Sequence, residues 1–328
     1  MKKIFALALI LIFLISFAGC AQKVETTPTE APISTMVQIT KAPYKFDAEK
    51  NNPNGDYYPE ADKNFISKID EILAYSTDTQ NTVFENALGL YEYITRNIGY
   101  KDGGADNAKD AAETLTANKN GFTRLYQYLL NQIGMEAHIA TSDDGSQCWV
   151  MLKMPDGFYH FDPAEEAYIS QGQSLLYFAM NDELRWGGGE INGWYLGSDE
   201  LGGKYEAPKN EKNTYAFLQN VRTGYGMDTA NNFLYYADWS RNNEIVKFNY
   251  ELMKEDYFYV QPVGSMAYHN GVLYYSDSNQ RHQLFMVNLN TFDVALLDNV
   301  FVTRMLVKKD KLIYFDDISS QEKAIEFN

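Results

Sequence analysis

A group of potentially reactive side chains lies between residues 123 and 162. A hydroxyl (Thr123) is followed by a thiol (Cys148), an imidazole (His160) and a carboxylate (Asp162). A nucleophile, a base that takes its proton and a carboxylate that orients the base are the groups used in nucleophilic acyl transfer. Acyl transfer is therefore the chemistry to test against the rest of the segment.

The elements that must position these groups are a helix and three short strands. The helix is predicted to begin after Gly121 and to end at Gly134, because five apolar residues recur between them at helical spacing, Phe122, Leu125, Leu129, Leu130 and Ile133. Strands are predicted over 136–141, 147–153 and 158–162, the last two forming a hairpin. A helix followed by antiparallel strands is an α+β order.

This order resembles the papain-like core of transglutaminase-type domains. In that family a Gly-x-Cys opens the core helix, a His-x-Trp lies on the next strand and an Asp-Pro follows. The matching segments are GFT at 121–123, QCW at 147–149 and DP at 162–163. The upstream phrase LYEYITRNIGYKDGG and the downstream phrase LLYFAMNDELRW match too, so the resemblance covers residues 60–200.

The resemblance implies a catalytic triad that is degenerate in this chain. Thr123 stands at the position of the Cys and Gln147 at that of the His, whereas Asp162 is kept. A Thr hydroxyl is a weak nucleophile without a neighbouring base, and an amide cannot act as that base. We expect Thr123, Gln147 and Asp162 to form a polar network that binds rather than reacts.

Cys148 is the alternative nucleophile, and strand alternation decides where it points. If Met154 faces Gly157 across the hairpin, one face carries Gln147, Trp149, His160 and Asp162. Cys148 then lies on the opposite face as a core or surface thiol, and a one-residue slip would reverse this. His160 and Asp162 could also form a His–carboxylate pair beside Gln147.

The N-terminus predicts export and lipid attachment. Two lysines precede an apolar run over 4–17, which is too short for a membrane-spanning helix and is typical of a signal peptide. The closing FAGC resembles a bacterial lipobox, which implies cleavage before Cys20 and a diacylglycerol anchor on its thiol. An ordinary secretory signal is the alternative. Residues 21–58, rich in Thr, Pro and Ser, are predicted to be a flexible tether.

Composition limits the other classes of function. The 328 residues suggest two domains, predicted here at 59–205 and 206–328. The net charge of −16 argues against nucleic-acid binding. Two cysteines, one of them at the lipobox, provide no disulfide framework, and four scattered histidines without CxxC or HExxH spacing predict no metal site. No cofactor is expected.

The last third contains a repeat. FLYYAD at 233–238, VLYYSD at 272–277 and LIYFDD at 312–317 close on Asp238, Asp277 and Asp317, at spacings of 39 and 40 residues. A period of about 40 residues with several strands per unit is typical of propeller blades. These units resemble the YWTD repeats of lipoprotein-receptor propellers. They predict an all-β domain of three repeats, as an open partial propeller, a small β-sandwich or part of an assembly.

These features favour a membrane-anchored, extracytoplasmic lipoprotein of a bacterium. Its expected role is non-catalytic binding or scaffolding, with a peptide, protein or cell-wall polymer as ligand. The alternative is an active transglutaminase-like cysteine hydrolase or acyl transferase that uses Cys148. A solute-binding lipoprotein of a transporter is disfavoured, because the chain has no alternating βα pattern.

Overall fold

The fold combines an N-terminal α/β part with an all-β C-terminal part. A computed structural model describes residues 62–186, 193–198, 204–259 and 261–327. The predicted signal peptide, Cys20 and the tether lie outside the described residues. Within the described ranges, no helix is both long enough and apolar enough to cross a membrane.

Six helices are described, in chain order α1 Lys63–Ser76, α2 Val83–Asn97, α3 Ala108–Thr114, α4 Lys119–Gln132, α5 Pro163–Ser170 and α6 Asp182–Trp186. The core helix, α4, begins at Lys119, three residues before its predicted start. The Asn118 side chain accepts a hydrogen bond from the Gly121 amide at 3.1 Å, so the N-cap lies before the glycine. At the other end, Gly134 has a φ of +79°, which allows the chain to leave the helix.

The site is built on an antiparallel sheet of five strands in the order β5-β4-β3-β6-β7. Its strands are β3 Ala137–Ser142, β4 Cys148–Met154, β5 Gly157–Phe161, β6 Trp194–Ser198 and β7 Lys204–Glu206. Met154 pairs with Gly157, so the predicted hairpin register is confirmed. A parallel pair, β1 Gly99–Ala105 and β2 Thr116–Ala117, lies on either side of α3 in the chain.

Three antiparallel meanders form the C-terminal part. The first sheet contains β8 Val221–Asp228, β9 Phe233–Asp238, β10 Glu244–Asn249 and β11 Lys254–Tyr259. The second contains β12 Val263–His269, β13 Val272–Asp277, β14 Gln283–Asn288 and β15 Val294–Asp298. The third contains β16 Val302–Lys308, β17 Lys311–Asp316 and β18 Gln321–Glu326.

In each repeat an aspartate caps the turn that follows the aromatic strand. The prediction that Asp317 is this aspartate in the third repeat is wrong. Asp238 and Asp277 accept amide hydrogen bonds from residues two positions further on. In the third sheet Asp316 has this role, accepting from the Ile318 amide at 3.1 Å, and it pairs with Val302 as its equivalents pair with the first valine of their sheets. The structural period is therefore 39 residues twice, and Asp317 instead accepts from Thr303.

Close contacts join the sheets to one another and to the helices. Strand β12 packs between β8 and β16. The Arg96 side chain of α2 donates to the carbonyls of Gly172 at 3.1 Å and Val307 at 3.4 Å, and it lies over the ring of Tyr225. Helix α2 is thereby tied to both β8 and β16. The predicted boundary between 205 and 206 stays a prediction, and one hydrophobic core continues across it.

The packing of β8 against β12 requires a glycine at position 224. Gly224 has a φ of +126°, and a Cβ there would lie 1.9 Å from the Met266 carbonyl oxygen. We expect Gly224→Ala to lower the free energy of unfolding by about 3 kcal/mol, through backbone strain and a clash with main chain. Urea denaturation measures the change. Gly103→Ala is the matched control, because a Cβ there meets nothing within 4 Å. Equal effects of the two substitutions would contradict this account.

Candidate functional site

The start of α4 places Thr123 against the first residue of β4. The Thr123 side chain is fully buried, and its hydroxyl donates to the Cys148 carbonyl at 3.4 Å. The Cys148 thiol lies 3.6 Å from the same hydroxyl and 3.1 Å from the Asn120 carboxamide oxygen. The thiol is therefore a neighbour of the residue that stands at the nucleophile position.

This contact corrects the expectation that alternation removes Cys148 from the site. The register is as predicted, and Cys148 does lie on the opposite face from Trp149. However, helix α4 covers the Cys148 face, where Val150 and Leu152 join its core, whereas Trp149 belongs to a separate cluster on the other side of the sheet. The face that carries Trp149 and His160 is thus turned away from Thr123.

The environment of Cys148 does not activate its thiol. Burial raises the pKa of Cys148, and this effect outweighs the opposing influences of the Thr123 hydroxyl and of Lys119. A thiol with a raised pKa is largely protonated near neutral pH and is a poor nucleophile.

Asp162 is the most connected polar residue of the site. Its side chain is fully buried, and its Oδ2 lies 3.4 Å from Lys119 Nζ and 3.3 Å from Arg185 Nη2. Its Oδ1 accepts from the Glu165 amide at 3.2 Å and so caps α5. The two cations and the helix cap together offset the cost of burying a carboxylate.

Lys119 connects Gln147 to Asp162. The lysine Nζ donates to Gln147 Oε1 and lies 3.6 Å from Glu165 Oε2. A cation in the first turn of a helix is disfavoured by the helix dipole, and the two carboxylates compensate for this. Of the predicted network, Gln147 and Asp162 are therefore joined through an unpredicted lysine, while Thr123 bonds to the main chain of Cys148.

His160 does not pair with Asp162, contrary to one of the expected alternatives. The ring is fully buried, its Nδ1 accepts from the Trp149 indole at 2.8 Å, and its Nε2 lies 3.0 Å from Asp182 Oδ1. Because Nδ1 is an acceptor, the proton is assigned to Nε2, which donates to Asp182. Burial lowers the pKa of His160, and the bond to Asp182 opposes this shift. The imidazole therefore supports the sheet and is not available to the thiol.

Arg185 links the two faces of the sheet. Its guanidinium lies 4.3 Å above the Trp149 ring while it contacts Asp162. Arg185, Asp182 and Lys119 were not identified from the sequence. Lys119 lies just before the predicted start of the core helix, and nothing in its spacing signals a site. Asp182 and Arg185 lie in the LLYFAMNDELRW phrase, whose resemblance carries no assigned role.

The network borders an open cavity of about 500 Å³. Its wall carries both cations and carboxylates, and its lining includes Lys119, Gln147, Asp162, Glu165, Tyr177 and Arg185. Two buried donors, Arg185 Nε and Gln219 Nε2, have no hydrogen-bond partner in the described part of the chain. A lining of this kind suits a ligand with carbonyl oxygens and amide or amine groups. No cluster of metal ligands occurs among the described residues.

No protein-family model matches the sequence, and no curated protein matches it. Several solved structures show weak similarity. A nidogen/laminin complex aligns with a TM-score of 0.28 and 15% identity, over 34% of this chain and 46% of that one. A protein described as a cysteine protease from Cytophaga hutchinsonii aligns with a TM-score of 0.26 and 14% identity, over 34% and 46%. A TGase aligns with a TM-score of 0.24 and 12% identity, over 30% and 29%. The chain thus spans less than half the length of each of these structures.

The buried neutral imidazole predicts a pH-dependent stability. The folded-state pKa of His160 lies below its unfolded value, so the unfolded chain binds the extra proton first as the pH falls. Stability from this group is present above about pH 6.5 and is lost below it, by up to about 1.4 kcal/mol per pH unit. We expect His160→Gln to flatten the fall in unfolding free energy between about pH 7 and 5. Urea titrations at several pH values measure the slope, and an unchanged slope would contradict the assignment.

Proposed function

We propose that this protein is a membrane-anchored extracytoplasmic lipoprotein whose transglutaminase-like domain binds an extended peptide-like ligand without catalysing acyl transfer. The observation that carries the proposal is the contact of Lys119 with both Gln147 and Asp162. In a working triad this path would be occupied by an imidazole between nucleophile and carboxylate. Here it holds an ammonium and an amide, neither of which can take a proton from a hydroxyl or thiol near neutral pH.

The cavity supports the class of ligand. Its orphan donors on Arg185 and Gln219 are suited to carbonyl oxygens, while Glu165 and Asp144 on the same wall are suited to amines and amides. A peptide backbone, or the peptide part of a cell-wall polymer, provides both kinds of group along one chain. The half-exposed Tyr177 on the cavity wall offers an apolar surface to such a ligand.

The remaining parts of the chain complete the proposal. The lipobox at Cys20 would hold the protein at the membrane, and the tether would give it reach. The three meander sheets are interpreted as an open array of propeller-type repeats packed on the first domain. Their period of 39 residues and their four-, four- and three-stranded meanders support this interpretation.

A second candidate function is acyl transfer that uses Cys148. It is favoured by the position of the Cys148 thiol on β4, 3.6 Å from the Thr123 hydroxyl near the start of α4. It is disfavoured by the raised pKa of the thiol and by the location of the His160 ring on the other face of the sheet.

A turnover assay separates the two candidates. We expect mature protein to show background rates of labelled-amine incorporation and peptide hydrolysis, because among the described residues no imidazole contacts the Thr123 hydroxyl or the Cys148 thiol. Thr123→Ala and Cys148→Ala are measured in parallel, and a Thr123→Cys/Gln147→His double variant tests whether the scaffold supports chemistry once both groups are restored. Wild-type turnover that disappears in Thr123→Ala or in Cys148→Ala would contradict the non-catalytic proposal.

A binding assay tests the ligand class directly. We expect mature protein to sediment with purified cell-wall sacculi or to bind their soluble peptide fragments. Tyr177→Ala and Gln219→Leu should weaken binding by about tenfold each, the effect of losing roughly 1.4 kcal/mol of contact. Glu113→Ala, an exposed change on α3, is the matched control. Binding that is insensitive to both cavity variants would exclude this cavity as the site.

A further inference from the structure

The third sheet has one face whose apolar residues belong to none of the hydrophobic clusters of the described residues. Helix α1 contacts the sheet only at the turn between β16 and β17 among the printed ion pairs, through Lys309 and Glu71. Its inner face packs on the second sheet through a core that includes Met305, Val307, Leu312 and Tyr314. The alternate residues form what we call the outer face: Arg304, Leu306 and Lys308 from β16, Lys311, Ile313 and Phe315 from β17, and Glu322, Ala324 and Glu326 from β18. Its apolar members on β16 and β17 are half-buried, and its charged members are exposed.

The charges of the outer face are sorted by strand. The cations Arg304 and Lys308 lie on β16, and the anions Glu322 and Glu326 lie on β18. The central strand β17 carries Ile313 and Phe315 between them, and the Arg304 guanidinium lies 4.3 Å above the Phe315 ring. A face with an apolar centre, one cationic edge and one anionic edge is complementary to itself.

The pairing register sorts these residues into three rows across the sheet. The first row is Arg304, Phe315 and Glu322, and the middle row is Leu306, Ile313 and Ala324. The third row is Lys308, Lys311 and Glu326, in which Lys311 already pairs with Glu326 at 2.7 Å. Each row therefore runs from a β16 residue to a β18 residue at one height along the strands.

We propose that the outer face of the third sheet docks on the same face of a second copy of this chain, about a two-fold axis parallel to β17. Such an axis reverses the order of the strands and keeps their heights. It places β16 of one copy over β18 of the other, so that Arg304 meets Glu322, Leu306 meets Ala324 and Lys308 meets Glu326. Ile313, Phe315 and Lys311 lie on the axis and meet their own equivalents, as an isologous interface requires. Lys311 is paired with Glu326 of its own chain at 2.7 Å, which offsets the contact between the two lysines.

Charge distinguishes a second copy from an unrelated acidic or basic partner. The outer face has three cations and two anions, in a chain whose net charge is −16. A uniformly charged partner would satisfy one edge and repel the other, whereas a second copy satisfies both. A three-stranded face is smaller than a standard interface, so the dimer is weak in dilute solution. Tethering of both copies to one membrane, which rests on the proposed function, raises their effective concentration.

Thiol crosslinking in native membranes tests the axis. The full chain carries single cysteine substitutions in the wild-type background, and a short thiol-specific crosslinker is added. Ile313→Cys, on the axis, should crosslink to itself. Ala324→Cys should not crosslink to itself but should crosslink to Leu306→Cys when the two chains are co-expressed. The unsubstituted chain controls for Cys148. Absence of the Ile313→Cys dimer, or a crosslinked product with the mass of another protein, would overturn the proposal.

Charge reversal tests the edges and separates docking from misfolding. With Ile313→Cys as the reporter, Arg304→Glu or Glu322→Arg alone should lower the dimer yield by about tenfold, because each reversal creates two like-charge contacts. Co-expression of one chain with Arg304→Glu and one with Glu322→Arg should restore the mixed dimer, because both contacts are again between opposite charges. Folding defects would not be rescued in this way. Equal yields of mixed and unmixed dimers would overturn the proposed edge contacts.

Discussion

The buried carboxylate of Asp162 is the constraint on which the α/β part depends. The carboxylate contacts Lys119 of α4 and Arg185 of α6, and it accepts a hydrogen bond from the Glu165 amide in the first turn of α5. It therefore holds three helices at the edge of the five-stranded sheet. Removing one partner of a buried ion pair commonly costs about 3–5 kcal/mol, because a charge is left without compensation. Lys119, at the start of α4, occupies the position between Gln147 and Asp162 that the imidazole of a working triad would take.

The sheet itself separates the remaining reactive groups. Cys148 lies beside Thr123 under helix α4, whereas His160 is on the opposite face, bonded to Trp149 and Asp182. A thiol and an imidazole on opposite faces of a strand pair cannot exchange a proton directly. The residue types that suggest acyl transfer in the sequence are therefore separated. Thr123 and Cys148 lie under helix α4, His160 belongs to a structural hydrogen-bond chain, and Asp162 lines the cavity with groups suited to recognition.

The C-terminal sheets depend on close approach of their first strands. Gly224 lets β8 lie against the β12 main chain, and the Ser265 hydroxyl on β12 accepts from the Met305 amide of β16 at 3.1 Å. Arg96 reaches from α2 into the same region. The first sheet is covered by the α/β part, where Phe84 stacks on Tyr215 and contacts Tyr250. The outer face of the third sheet carries charges of both signs.

The sequence alone determined the elements that local pattern controls. Apolar spacing located the core helix with an error of three residues at its start, alternation and turn residues located the β4–β5 hairpin with its register, and the repeated aromatic strands located the three meanders. It could not determine which of two adjacent aspartates closes the third repeat, because both are equally suited to a turn and strand pairing selects Asp316. Nor could it determine which face of the hairpin meets α4. Alternation states which side chains share a face, but only packing of the helix decides which face is buried under it. Lys119, Asp182 and Arg185 became site residues for the same reason, since contacts between distant segments leave no local pattern.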